Sequence, residues 1–298
     1  MPGRIIAFIM SVITLISSFF TGLFNIGYYE MKDVSYGAAQ RQKFDLWLPK
    51  NTAETGIIIY IHGGGWTEGS KNDYRDAAER ACREYKIAAA TVGYRFAGSS
   101  EQTKETDCSG ILEDIGTALE TIRAKALEKG VKINRAIFTG ASAGGHISLL
   151  YAYKFRDTAP ITPVAVADFC GPADFNIRSF YNSGSKDYED YVCGLVSRMC
   201  GFDFTMETID SAKPYLDEIS PISYVDTAVP TVIAHGMKDE IVPYENAVAL
   251  DRALTEKGIR HDFISFPNSG HSLDRDPGAM DAAWALLHQY AREYLGAK

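Results

Sequence analysis

Ser142 stands at the centre of a G-x-S-x-G pattern running from Gly140 to Gly144. An apolar run, Ala136–Phe138, precedes it, and Ile147, Leu149, Leu150 and Tyr151 follow. That order reads as strand, sharp turn, helix, the setting in which a serine hydroxyl projects from the edge of a sheet as a nucleophile. Glycines on either side let strand and helix approach without a Cβ in the way. The backbone N–H of Ala143, next in the chain, can point at an oxyanion developing on an attacked carbonyl. Glycine and serine are common, so the pattern arises by chance in roughly one chain in ten of this length. An ordinary glycine-rich turn is the competing reading, and residues elsewhere decide between them.

The second chemical stretch is HGGGW at 62–66, directly after the apolar run Gly56–Ile61. Consecutive glycines after a strand let N–H groups turn inward, which makes Gly64 and Gly65 donors for the same oxyanion, opposite Ala143. His62 is read as a brace for that loop, and Trp66 as packing beside the pocket. A nucleophilic serine needs a base and an acid. His271, in the loop after His261–Phe266, is the candidate base; Asp239, just past Thr231–His235, is the candidate acid. Asp174, after the run Val164–Phe169, is a rival for the acid.

These residues need elements to hold them. Val34–Tyr36, Lys43–Leu48, Gly56–Ile61, Ile87–Val92, Ala136–Phe138, Val164–Phe169, Thr231–His235 and His261–Phe266 read as strands. Lys43–Leu48 alternates with a period of two, while Gly56–Ile61 is continuously apolar, as a strand covered on both faces should be. Helices are expected at Asp73–Tyr85, at Cys108–Glu128 with its stripe Ile111, Ile115, Leu119, Ile122 and Ala126, at Glu245–Glu256 and at Pro277–Leu295. The alternation implies an α/β fold, with a mostly parallel central sheet and helices on both faces. Arg95 and Asp114 are expected to be structural. From Phe175 to about Leu216 the pattern breaks down, and residues 175–216 read as an insertion covering the site. Tyr181, Tyr188, Tyr191, Phe202 and Phe204 either line a cleft there or pack the insertion on itself.

The chain has 298 residues, 46% hydrophobic and 23% charged, with a net charge of −8. Those are ordinary globular values, and the acidic balance with no basic stripe speaks against nucleic acid as a partner. Five cysteines show no C-x-x-C and no zinc spacing. Cys82 and Cys170 read as core and Cys108 as a loop residue. Free thiols are the default, with a Cys193–Cys200 bridge open in an oxidising compartment. Residues 1–29 stand apart: Arg4 is the only charge before Glu30. Ile5–Tyr29 is long enough to span a bilayer as a helix, which would place residues 30–298 outside the cytoplasm as a membrane-anchored domain. A cleaved secretory signal and a helix packed on the domain are the alternatives.

The chain resembles the hormone-sensitive-lipase-like α/β-hydrolase esterases, closest to the bacterial acetyl and feruloyl esterase-like branch. The resemblance rests on HGGGW at 62–66, VGYRF at 92–96, GASAGGH at 140–146, HGMKDEIVP at 235–243 and SGHSL at 269–273, and covers about residues 31–298. The order Ser142, Asp239, His271 is the α/β-hydrolase order, unlike those of chymotrypsin and subtilisin. The resemblance implies a serine esterase acting on short acyl esters, as small molecules or acylated carbohydrate, with no cofactor and no metal. A prolyl-oligopeptidase-like peptidase and a non-catalytic binding protein on the same fold are the rival functions. Oligomeric state is not encoded in any feature of the sequence.

Overall fold

The computed structural model describes residues 27–98, 106–182 and 184–297. Eight strands form one sheet: β1 (Tyr28–Ser35), β2 (Lys43–Pro49), β3 (Glu54–Ile61), β4 (Ala88–Val92), β5 (Lys132–Ala141), β6 (Thr162–Phe169), β7 (Thr231–Gly236) and β8 (His261–Phe266). Their order is β1-β2-β4-β3-β5-β6-β7-β8. β1 and β2 pair antiparallel, β2 joins β4 antiparallel, and every pairing from β4 to β8 is parallel. Parallel neighbours need crossovers, so helices cover both faces.

The side chains of β3 show how. Ile57, Ile59 and Ile61 point to one face, while Ile58 and Tyr60 point to the other, all fully buried. On the first face lie α2 (Cys108–Glu128), α3 (Ala143–Lys154) and α6 (Glu245–Glu256); on the second lie α1 (Arg75–Tyr85) and α7 (Pro277–Tyr290). Removing an isoleucine of this kind from water contributes about 2 kcal/mol, so the continuous apolar run anchors both cores at once. Asp107 caps α2, its side chain accepting from the N–H of Gly110. Arg95 and Asp114, each expected to be structural, prove to be each other's partners: Arg95 donates to Asp114 at 2.6 Å, and Asp114 also takes Gln42 Nε2 at 2.8 Å.

Three expectations change. The segment read as a helix from Ile5 to Tyr29 does not reach Tyr29: Tyr28 and Tyr29 open β1, pairing with Pro49 and Leu48. Residues 1–26, which hold the rest of it, lie outside the described residues, and among the described residues no helix is long and apolar enough to cross a membrane. The insertion expected at 175–216 is regular and runs on to Ile219: it holds α4 (Lys186–Cys200) and α5 (Ile209–Ile219). Ser185 caps α4, accepting from the N–H of Tyr188. Cys193 and Cys200 therefore lie two turns apart on one helix, about 10 Å along its axis. That is beyond disulfide reach, and both are free. Of the two readings of Cys108, helix start and loop residue, the first holds: it opens α2 at the expected bound and is buried.

Candidate active site

The site forms at the carboxyl ends of the parallel strands, where each connection leaves the sheet. β5 ends at Ala141, and Ser142 follows with φ +56° and ψ −124° before α3 begins at Ala143. A positive φ on a serine costs roughly 1–3 kcal/mol and persists only where the surroundings enforce it. Here Ser142 N–H donates to Phe169 O of β6, and Ser142 O accepts from His146 N–H in α3. The turn is also crowded: a side chain on Gly144 would begin 2.1 Å from Ile61 O, so only glycine lets α3 pass the end of β3.

The sequence-predicted base and acid come to this serine. His271 Nε2 lies 2.9 Å from Ser142 Oγ, and His271 Nδ1 lies 2.7 Å from Asp239 Oδ2. The other carboxylate oxygen of Asp239 accepts from Ile241 and Val242 N–H, both at 2.9 Å. Asp174 is elsewhere occupied, accepting from the backbone and side-chain nitrogens of Asn176. Burial pushes the Asp239 carboxyl up, but hydrogen bonding from His235 and His271 outweighs it and holds the group well below the usual carboxylate range. An ionised acid beside Nδ1 keeps the proton on that nitrogen, which leaves Nε2 free to accept from a serine hydroxyl. The loop carrying His271 is clamped behind it: Asp276 accepts from Asn268 N–H and from Ser269 Oγ. Cys170, one residue past β6, donates its thiol to His271 O at 3.3 Å; burial raises that thiol well above its ordinary value, so it stays protonated.

The glycine loop lies across from the serine. Gly64 has φ +104° and Gly65 φ +53°, conformations open to glycine, and Gly64 O accepts from Thr67 and Glu68 N–H to close the turn. His62 braces the loop as expected, its Nδ1–H donating to Gly63 O at 2.8 Å and its ring stacked on Tyr94 with centroids 4.3 Å apart. Ala143 opens α3, where first-turn N–H groups lack partners within the helix and the dipole favours negative charge.

Gly64, Gly65, Ser142 and His271 line one cleft of about 500 Å³. Its other wall is mostly α4, through Tyr188, Tyr191, Val192 and Leu195. Of the aromatics in doubt, Tyr188 and Tyr191 face the cleft. Tyr181 and Phe204 instead meet edge to face inside the insertion, and Phe202 stacks on Tyr215. Sequence reasoning missed three residues. Leu195 and Val192 were hidden because α4 itself was not recognised. His235 stood in the quoted HGMKDEIVP stretch without a role; it is fully buried, with Nε2 2.8 Å from Val242 O and 3.3 Å from Asp239 Oδ2.

A serine hydroxyl, an imidazole and a carboxylate stand in one hydrogen-bonded line, an arrangement suited to nucleophilic attack on a carbonyl, and the glycine loop lines the same cleft.

Comparison with known proteins agrees with this architecture. The BD-FAE family model matches residues 44–254. The chain is 26% identical to esterase LipC of Mycobacterium tuberculosis over 260 residues, 85% of this chain and 62% of that protein. It is 26% identical to the probable carboxylic ester hydrolase LipM of the same organism, over 89% of this chain and 63% of that one. It thus spans about three fifths of the length of these relatives. Among solved structures, esterase B from Lactobacillus rhamnosis superposes with a TM-score of 0.70 at 18% identity, covering 96% of this chain and 93% of that one. The esterase Est2 of Thermogutta terrifontis gives 0.62 at 22% identity, over 90% and 92%. Both carry the same α/β-hydrolase fold.

Proposed function

The chain belongs to the BD-FAE family, hormone-sensitive-lipase-like in kind, and from that footing we propose that it is a serine carboxylic-ester hydrolase acting on short-chain acyl esters. The observation that carries the reading is the unbroken line Ser142 Oγ, His271 Nε2, His271 Nδ1, Asp239 Oδ2, with spacings of 2.9 and 2.7 Å. Ser142 Oγ attacks the ester carbonyl while its proton passes to His271 Nε2. Asp239 steadies the imidazolium that results. The N–H groups of Gly64, Gly65 and Ala143 hold the oxyanion of the tetrahedral intermediate. The C–O bond to the alcohol breaks, the alcohol leaves with the proton from His271, and the acyl group remains on Ser142. Water, deprotonated by His271, then releases the acid and restores the serine. No step draws on a cofactor or metal.

The short-chain preference is supported by the modest cleft volume of about 500 Å³ and by the apolar side chains of Leu195, Val192 and Phe180 that line it. A small ester or an acylated carbohydrate fits a cleft that is apolar at its wall and carries tyrosines at its rim. The apolar N-terminal stretch after Arg4 supports an extracytoplasmic, membrane-anchored or secreted setting.

Chromogenic esters from acetyl to palmitoyl, given to the full chain and to Ser142→Ala, test the reading. Hydrolysis of acetyl and butyryl esters that disappears in the variant is the expected result. Activity that survives Ser142→Ala, or none on any ester, overturns it.

A further inference from the structure

His146 takes no part in the chemistry just described, yet its buried ring joins three distant parts of the chain. It sits one turn into α3, four residues after Ser142. Its Nδ1 accepts from Trp66 Nε1–H at 3.0 Å, and its Nε2 donates to Ile219 O, the last residue of α5, at 2.7 Å. An indole N–H only donates and a carbonyl only accepts, so the tautomer is set: lone pair on Nδ1, proton on Nε2. A second proton on Nδ1 would face the indole N–H, donor against donor. Burial accordingly lowers the imidazole to about 4, which keeps it neutral.

Trp66 follows Gly65 directly, and its own φ of +60° shows that the glycine turn continues through it. The Trp66 ring meets both the His146 ring, edge to face at 5.3 Å, and Phe175 at 5.9 Å. Phe175 is where the insertion begins and Ile219 is where it ends. The two ends are stapled beside His146, with Phe175 N–H donating to Ser220 Oγ at 3.0 Å. The insertion also touches the glycine turn a second time, because Leu195 Cδ2 lies 3.7 Å from where a side chain on Gly65 would start.

We propose that His146 is a positioning residue that locks the glycine loop at 63–66 to the base of the 175–219 insertion and so sets the aim of the oxyanion donors. The role follows from the two bonds. Trp66 cannot shift without breaking its bond to His146, and His146 cannot follow it without abandoning Ile219. The cap over the cleft and the donors beneath it are thereby one mechanical unit, and a displacement at one is felt at the other. This rests on the ester-hydrolase reading of the site.

The test compares His146→Phe, which keeps a ring but loses both bonds, with His146→Gln, whose amide can still accept and donate, and with Trp66→Phe. All are made in the full chain, and active sites are counted with a fluorophosphonate so that misfolded protein drops out of kcat. His146→Phe and Trp66→Phe should each lower kcat per titrated site about tenfold with KM within about twofold, since a misaimed donor weakens the transition state and not the bound ester. Their double variant should be no worse than either alone, because both break the same bond. His146→Gln should recover most of the loss. A trifluoromethyl ketone, which forms the oxyanion on Ser142, should weaken in step with kcat. If His146→Phe does not fold, Trp66→Phe and the ketone carry the test. A kcat per site near wild type in the soluble variants, or losses that multiply in the double variant, overturns the proposal. An inactive wild type would instead overturn the ester-hydrolase reading.

Discussion

Asp239 touches His271 with one carboxylate oxygen and the backbone of its own loop with the other. Oδ2 lies 2.7 Å from His271 Nδ1, while Oδ1 takes the N–H groups of Ile241 and Val242. The carboxylate is therefore oriented before the imidazole arrives, and its charge is held by His271, by two backbone N–H groups and by His235 Nε2 at 3.3 Å. Asp239→Asn keeps the shape but presents an amide that cannot hold the proton on Nδ1. Turnover should fall about ten-thousandfold, while Asp174→Asn should stay within about threefold of wild type, since Asp174 only ties down its own turn. Steady-state kinetics of the two variants decide the assignment, and a near-normal Asp239→Asn rejects it.

The acyl preference should be set from α4. Leu195 stands over Gly65 and lines the cleft beside Val192. Leu195→Ala removes the atoms nearest the glycine turn and opens space for longer chains. The ratio of kcat/KM for hexanoyl over acetyl esters should rise about tenfold, the discrimination that a methylene or two in an apolar pocket supports. Competition between the two esters in one reaction reads this ratio directly. An unchanged ratio would place the acyl group on another wall.

Much of this was legible in the sequence, and the residues that were not have physical reasons. β3 and β5 were plain because strands covered on both faces are written as continuous apolar runs. The serine and the acid candidates stand out because they follow the apolar runs of β5 and β7, and the base candidate because it follows the last strand, β8, which is only partly buried. β1 was cut short to Val34–Tyr36 because it is an edge strand whose residues are mostly exposed, so no alternation marks Tyr28–Lys32. α4 has an apolar stripe, Val192, Cys193, Val196 and Met199, but it starts late, after a charged first turn, and Gly194 interrupts it. α5 carries Pro214 in its middle, a residue that argues against a helix. His146 and Trp66 were visible as residue types within motifs. Their bond was not, since it spans 80 positions and closes only when α3 packs beside the glycine loop.

The Arg95–Asp114 pair should matter to stability and not to chemistry. Asp114 is 1% exposed and takes the Arg95 guanidinium, Arg95 N–H and Gln42 Nε2. Asp114→Ala leaves a partly buried guanidinium without its counter-charge, a loss of about 3–5 kcal/mol. Urea denaturation should show it as a lower midpoint. Turnover per titrated active site should remain within about twofold, and a large drop there would mean that the pair reaches the site.

Acid should destabilise the fold through histidines that are buried neutral. His62 and His146 are both lowered from 6.5 to about 4, chiefly by burial. Between those values the unfolded chain binds protons that the folded chain does not, so unfolding is favoured as pH falls from 6.5 towards 4 and the effect levels off below that. A shift of this size corresponds to about 3 kcal/mol for each group. Stability from the pair is thus full above pH 6.5, where both states are neutral. His146→Gln removes one titrating group and keeps the hydrogen bonds to Trp66 and Ile219 within reach. Its denaturation free energy should fall less steeply than that of wild type over pH 6.5 to 4, by about 3 kcal/mol at the acid end. Parallel pH profiles for the two proteins would mean that the His146 ring is protonated in the fold. Trp66 Nε1–H would then lack its acceptor, and the tautomer argument that links the glycine loop to the insertion would fail with it.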